Sequence, residues 1–296
     1  MNVAIAQKSL SESSQERDFE MSERDFDCIA GIIREEAGIA LSSGKSSLVY
    51  SRLSKRIRKL KLETFSEYCQ LVSDPSNTEE RRHLLTSLTT NVTNFFREPH
   101  HFDDLKANVL PALLEKAARG ERVRLWSAAC SSGQEPYTIA MCVLGLAPEA
   151  ASWDLRILAT DIDPTIVNKA RTGEYEDQLL KNVPDVEKKR FFSKSKTDND
   201  IWCAKPELKS LISFKEMNLI RDWPVRGPFD VIFCRNVVIY FEEETEQKVW
   251  SKFAKVLAPS GQMYIGHSER ISGPATKYFE AAGVTTYKRV GGVNLD

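Results

Sequence analysis

The sequence predicts an α/β protein in which a small all-helical N-terminal domain precedes a doubly wound, mainly parallel sheet with an inserted hairpin-like subdomain. Three observations carry that reading. Up to about Thr90 the apolar residues recur at three- and four-residue intervals, the spacing of helices with one buried face. After Gly120 short apolar runs alternate with helical stretches, which implies crossover units and parallel strands. One interval, from Gly173 to Ser210, is polar and out of phase with that alternation.

In chain order, residues 1–21 are rich in Ser, Glu and Gln and are expected to be a disordered tail. Residues 22–90 form the helical domain, with Phe26, Ile29 and Ile33 on one buried face, Val49, Leu53, Ile57 and Leu60 on another, and breaks at Gly38 and near Pro75. Residues 91–296 form the sheet domain. Its strands are read at VRLW (123–126), LRILAT (155–160), LISF (211–214), FDVIFC (229–234), QMYIGH (262–267) and TTYKRV (285–290). The insertion, about 174–210, contains RFFSKS and IWCAKPEL.

Composition bounds the function. The chain has 296 residues, 42% apolar and 28% charged, as an ordinary soluble protein with one large and one small domain has. A net charge of -1 gives no overall pull toward nucleic acid, so no nucleic-acid partner is expected and any electrostatic docking needs a local patch. Six cysteines without a paired spacing read as buried, reduced thiols, Cys234 among them. With no apolar run of membrane length and no leader-like start, the expectation is a cytoplasmic chain without membrane insertion. His100 and His101 are adjacent, so they cannot both face one metal, and no metal site is expected.

The informative stretch is WSAACSSGQEPYTIA (126–140), the first strand-to-helix turn of the sheet. In doubly wound sheets ligands bind beyond the carboxyl ends of the strands, closest to this turn. It lacks the three glycines of a dinucleotide fingerprint and the GK[ST] of a phosphate loop. Residues 128–133 are small enough for close backbone approach, and Glu135 stands where a phosphate would lie. Glu135 either caps its own helix or faces a cationic ligand, and S-adenosylmethionine, with a sulfonium, an ammonium and no phosphate, fits the second role. The second strand ends in Asp161 and Asp163, acids placed to accept from ribose hydroxyls or to cap the next helix.

Together with ATDID (159–163), LTTNVTNFFREPHHF (88–102), NL (218–219) and FDVIFCRNVVIYF (229–241), this turn resembles the CheR-type chemotaxis receptor methyltransferases over about residues 22–290. The resemblance implies a seven-stranded class I (Rossmann-like) methyltransferase sheet with an inserted antiparallel β-subdomain. It implies S-adenosyl-L-methionine as cofactor, S-adenosyl-L-homocysteine as product, and methyl esterification of glutamate side chains on chemoreceptor cytoplasmic helices in chemotaxis adaptation. Asn91, Thr93, Arg97, Glu135, Asp161, Asn218, Leu219, Arg235 and Asn236 are then expected to line the cofactor site, with Arg97 and Tyr240 facing the reacting carboxylate. The chain is expected to act as a monomer.

Two other functions compete. A nucleic-acid amino methyltransferase on the same fold resembles its relatives in a [DN]PP[YFW] motif after the fourth strand, where this chain reads CRNVVIYF. A catalytically silent cofactor-binding scaffold would not need Arg97 and Tyr240, which are both present. His267, in YIGHSE at a strand tip, either touches substrate or is a satisfied structural histidine.

Two features bear on substrate docking. Between Ala37 and Leu62 seven basic residues occur with no acid, and at 100° per residue Lys45, Arg52, Lys55 and Lys59 share one stripe, expected to dock an acidic receptor helix. Some members of the resembled family tether to a receptor's C-terminal peptide through the β-subdomain, using a glycine-rich loop between its strands. The corresponding SKSKTDNDIW (193–202) has no glycine, so this chain is expected not to need a tethering pentapeptide.

Overall fold

The structure, a computed structural model, describes residues 19–291. These fall into two compact units, one running to Glu36 and again from Ala40 to Leu88, the other comprising Ala37–Ile39 and the chain from Thr89 on.

In the first unit α1 (Glu23–Ala37), α2 (Ser46–Leu60), α3 (Phe65–Ser73) and α4 (Thr78–Leu88) bury their periodic apolar faces together. Phe26, Ile29, Ile33, Val49, Leu53 and Ile57 are all core residues, whereas Leu60, in the last turn of α2, is only half-buried. Thr64 starts α3 by accepting the Glu67 N–H, and the Glu67 carboxylate accepts the Glu63 N–H in return. The expected tail lies outside the described residues as far as position 18. From there the expectation is corrected, because the Phe19 ring packs edge-on to Phe65 and its N–H donates to the Tyr50 hydroxyl.

The second unit opens with α5 (Pro99–Asp104), which runs through a π-helical stretch, Leu105–Val109, into α6 (Leu110–Ala118). Then come β1 (Val123–Ala128), α7 (Gln134–Leu146), β2 (Leu155–Asp161), α8 (Pro164–Thr172) and the insertion. The insertion is more than a hairpin. Besides α9 (Asp185–Phe191), it contains β3 (Glu174–Glu176), β4 (Phe192–Lys194) and β5 (Ile201–Ala204) in an antiparallel sheet ordered β3-β5-β4. After α10 (Pro206–Ser210) follow β6 (Ile212–Glu216), β7 (Phe229–Cys234), α11 (Glu243–Val256), β8 (Leu257–Ile265), β9 (Phe279–Gly283) and β10 (Thr286–Arg289). The main sheet runs β6-β2-β1-β7-β8-β10-β9, parallel through β8 and antiparallel at β10 and β9.

Both sheet faces are covered, which is why the parallel strands read as continuous apolar runs. Leu125, Ile157 and Phe233 pack on one side with α7, and Trp126, Ile232 and Met263 on the other with Trp250 and Phe253 of α11. Strand order reverses between β2 and β7, the two neighbours of β1. The crevice at the carboxyl ends of these strands is where a doubly wound sheet holds its ligand. Among the described residues no helix is long and apolar enough to cross a membrane.

Candidate active site at the strand tips

Beyond β1 the chain turns through three left-handed residues, Ala129, Ser131 and Gly133, before entering α7. Gly133 is required there: its φ is +92°, and an added Cβ would lie 2.9 Å from the Tyr175 hydroxyl. The tight turn points the Ser131 N–H at the Asp161 carboxylate, 2.8 Å away. The other Asp161 oxygen accepts the Asp163 N–H at 3.0 Å. Burial outweighs these bonds and pushes the Asp161 carboxyl up to about 6. Asp163 takes the second of the two roles open to these acids. It caps α8 by accepting the Thr165 and Ile166 N–H groups, and its other oxygen holds the Asn91 amide.

Glu135 does not cap its helix. One oxygen accepts from the Ser127 hydroxyl at 2.7 Å and the other pairs with Arg235 at 3.0 Å. Burial raises its carboxyl above the usual range despite those partners. Arg235, at the tip of β7, is itself 7% exposed. Its guanidinium also pairs with Glu98 at 3.1 Å, donates to the Arg97 carbonyl and lies over the Phe102 ring. Glu98, left-handed at φ 55°, accepts in addition from the His267 ring at 2.9 Å. Burial opposes its ionisation, but the bonds from His267 and Arg235 win and hold it at about 2. A charge chain Glu135–Arg235–Glu98, with the His267 ring bonded to its end, therefore links the start of α7, the β7 tip, the segment before α5 and the β8 tip.

Asn91, Ser131 and Asp161 form one bonded group. Met217 donates to the Asp161 carbonyl, so Asn218 and Leu219 leave β6 beside it. Thr93 is half-buried on the segment between Asn91 and Arg97. Arg97 is half-buried and donates to the Val92 carbonyl at 2.9 Å. Asn236 follows Arg235 in a left-handed conformation, and its side-chain oxygen is buried with no hydrogen-bond partner among the described residues. Tyr240 ends a 3-10 turn, Val238–Tyr240, and is 38% exposed. No bond joins Arg97 to Tyr240 among the described residues. Lys45, Arg52, Lys55 and Lys59 belong to the first unit. Arg52 donates to the Ser87 carbonyl at 3.3 Å, and Lys45 precedes α2 rather than lying on it, so the four-membered stripe is reduced to Lys55 and Lys59 on the helix with Lys45 at its start.

Sequence reading did not single out Glu98 or Ser131, although both lie within the motif stretches 88–102 and 126–140. His267 is exposed and bonded to Glu98, and Cys234 is fully buried, its thiol pushed up by that burial. His101 is also buried, its Nε2 2.8 Å from the Thr285 hydroxyl; burial, with Arg235 nearby, holds it down at about 3. No cluster of three His, Cys, Asp or Glu side chains among the described residues is arranged to hold a metal ion.

Comparison with known proteins identifies the units. The CheR methyltransferase SAM binding domain matches residues 91–288, and the CheR methyltransferase all-alpha domain matches residues 24–89. A probable chemotaxis protein methyltransferase of Rhizobium etli is 52% identical over 87% of this chain and 96% of its own length. The chemotaxis protein methyltransferase of Escherichia coli is 39% identical, covering 90% of this chain and 91% of its own, and chemotaxis protein methyltransferase 2 of Pseudomonas aeruginosa is 38% identical, covering 92% and 95%. The site's donors and acceptors fit S-adenosylmethionine. Asp161 and Glu135 are buried acids, the Asn236 side-chain oxygen is buried with no partner among the described residues, and the turn itself carries no Lys or Arg to cradle a phosphate, a donor set that suits a ligand with two cationic centres and two donating ribose hydroxyls.

Proposed function

The chain belongs to the CheR methyltransferase family and is a methyltransferase using S-adenosylmethionine in chemotaxis; from that premise we propose that it esterifies glutamate side chains on the cytoplasmic helices of chemoreceptors. What supports the acceptor class is that this chain keeps, at the positions the family resemblance assigns to the acceptor side, a cation, Arg97, and a hydroxyl, Tyr240, the groups that docking and aiming a carboxylate call for.

The cofactor supplies an electrophilic methyl on a sulfonium. A glutamate of pKa about 4.3 is already ionised at neutral pH, so the protein has to desolvate one carboxylate oxygen and aim it. Arg97 compensates the carboxylate charge through the guanidinium N–H groups it does not spend on Val92. Tyr240 aims the oxygen without quenching it as a cation would. Asp161 and Asn236 accept donors of the cofactor, while Arg235 keeps Glu135 in place beside them. Trp202, whose indole donates to Asp177 at 2.5 Å beneath the ammonium groups of Lys188 and Lys194, is already engaged within the subdomain, in keeping with a chain that needs no tethering pentapeptide.

Incubation with labelled cofactor and receptor fragments tests this reading. Base treatment is expected to release methanol, which a carboxyl ester yields and an N-methyl group does not. Tyr240→Phe is expected to lower kcat while S-adenosylhomocysteine affinity is kept, and kcat is expected to stay flat through neutrality. A bell-shaped profile centred near pH 7 would instead point to His267 or another titrating group as a participant.

Asp161 gives a second expectation with a defined sign. Its folded value of about 6 lies above the unfolded value of about 3.9. The free enzyme therefore loses that stabilisation as pH rises from about 4 through about 6. Ribose hydroxyls donate to the charged form, since each oxygen keeps a lone pair beyond its backbone bond. S-adenosylhomocysteine affinity is thus expected to tighten about tenfold between pH 5 and pH 7, with proton release on binding. Asp161→Asn removes the slope. Calorimetric titration checks both, and an affinity unchanged over that range sinks the ribose assignment.

A further inference from the structure

The turn that follows Arg235 is held by Glu269, which lies just beyond the end of β8. Glu269 is 7% exposed and bonds no cation among the described residues. One of its carboxylate oxygens accepts the Gly266 N–H at 2.6 Å and the Asn236 N–H at 2.9 Å. The other accepts the N–H groups of Val237 at 2.7 Å and Val238 at 2.9 Å. Successive N–H groups converging in this way form an anion nest, here filled by the chain's own carboxylate. The nest draws the exits of β7 and β8 together.

The same turn is confined from the opposite side. Asn236 has a φ of +59°, a conformation that a non-glycine residue keeps only when its surroundings enforce it. A Cβ built on Gly266 would lie 2.5 Å from the Asn236 amide nitrogen and 2.7 Å from its backbone nitrogen, so Gly266 has to be glycine for Asn236 to sit there. The placement extends to Tyr240, whose N–H donates to the Val237 carbonyl at 3.1 Å. Glu269 thus fixes three consecutive amides, and the next 3-10 turn projects the tyrosine.

We propose that Glu269 is a positioning residue for methyl transfer, its carboxylate fixing the 236–238 backbone so that Tyr240 meets the acceptor oxygen. This rests on the assignment of Tyr240 to the acceptor side. Glu269→Gln is the sharpest probe. The glutamine has nearly the same shape, but its NH2 group must face two of the four N–H donors, so two bonds are lost whichever way the amide turns. Glu269→Gln in the full chain is expected to lower kcat about tenfold or more, with KM for a receptor fragment within about threefold. Because Glu269 acts through Tyr240, the double variant Glu269→Gln with Tyr240→Phe is expected to turn over no more slowly than the worse single variant. Gly266→Ala, which pushes on Asn236 from the other side, is expected to show the same non-additivity and serves if the glutamine variant does not fold.

Hydrogen exchange of the Asn236–Val238 amides, read without substrate, is expected to speed up in Glu269→Gln. Unchanged exchange overturns the proposal, as do an unchanged kcat or losses that multiply with Tyr240→Phe. Faster exchange together with a wild-type enzyme that releases no base-labile methanol would overturn the acceptor assignment, and with it the role of the turn in catalysis, while the hold of Glu269 on that turn would remain.

Discussion

Arg235→Met is expected to cost about 3–5 kcal/mol of folding stability at neutral pH and to abolish S-adenosylhomocysteine binding. The guanidinium lies between two carboxylates and, with a side chain 3% exposed, is shielded from water. Removing it leaves Glu98 with the His267 and His101 rings and leaves Glu135, among the described residues, with the Ser127 hydroxyl alone. An ionised carboxylate buried on one hydroxyl is the unpaired charge that makes breaking a buried pair so destructive. The loss has a pH signature. Without Arg235, burial raises Glu135 further, and a group raised in the folded state adds stability below its unfolded value that is lost as pH rises through the folded one. The variant should therefore approach wild type on acidification from pH 7 to pH 5. Arg235→Lys keeps the charge but cannot span Glu135, Glu98 and the Arg97 carbonyl at once, so it should fall between the two. Urea denaturation at both pH values checks this. A deficit below about 1 kcal/mol at pH 7, or one equal at both, would show that Arg235 does not carry this buried charge.

The features legible in the sequence were those whose cause is local. The parallel strands were readable because both of their faces are buried, and Asp161 because it stands at the tip of such a strand. Phe279–Gly283 was not, since in this edge strand only Phe279 is buried and the alanines and glycine carry no alternation. Glu174–Glu176 is three residues long with one buried ring, too short for a period. The charge chain was out of reach for a different reason: Arg235 meets Glu135 100 residues away and Glu98 137 away, and Glu98 meets His267 169 away. A carboxylate that takes four backbone amides, as Glu269 does, has no sequence signature either, because what it recognises is a conformation. Partners of the basic residues on α2 are also distant in sequence. No acid lies within the basic run, but Arg56 finds Glu80 on α4, with its Nε 3.0 Å from one carboxylate oxygen, and Arg52 finds the Ser87 carbonyl.

That correction sharpens the docking expectation. With Arg52 and Arg56 bonded within their own unit, the charge reversals belong on Lys55 and Lys59, which are exposed one helical turn apart. Their face is not the one that packs, since Val49, Leu53 and Ile57 supply the buried side of α2. A receptor segment rich in glutamate is an acidic surface. Two lysines aligned along a helix would speed its encounter and set its register more than they would tighten the final complex. Lys55→Glu with Lys59→Glu is therefore expected to cut receptor methylation at least about tenfold, while S-adenosylhomocysteine affinity and melting temperature stay at wild-type values. Wild-type activity should itself fall between low and about half-molar salt, where the screening length shrinks to a few ångströms, and the variant should be less sensitive because it has less attraction to lose. Methylation of receptor fragments measured across that salt range for both proteins decides it. Equal rates at low salt, or parallel salt curves, would make this a solvated lysine face and place the docking of the acidic helix elsewhere on the chain.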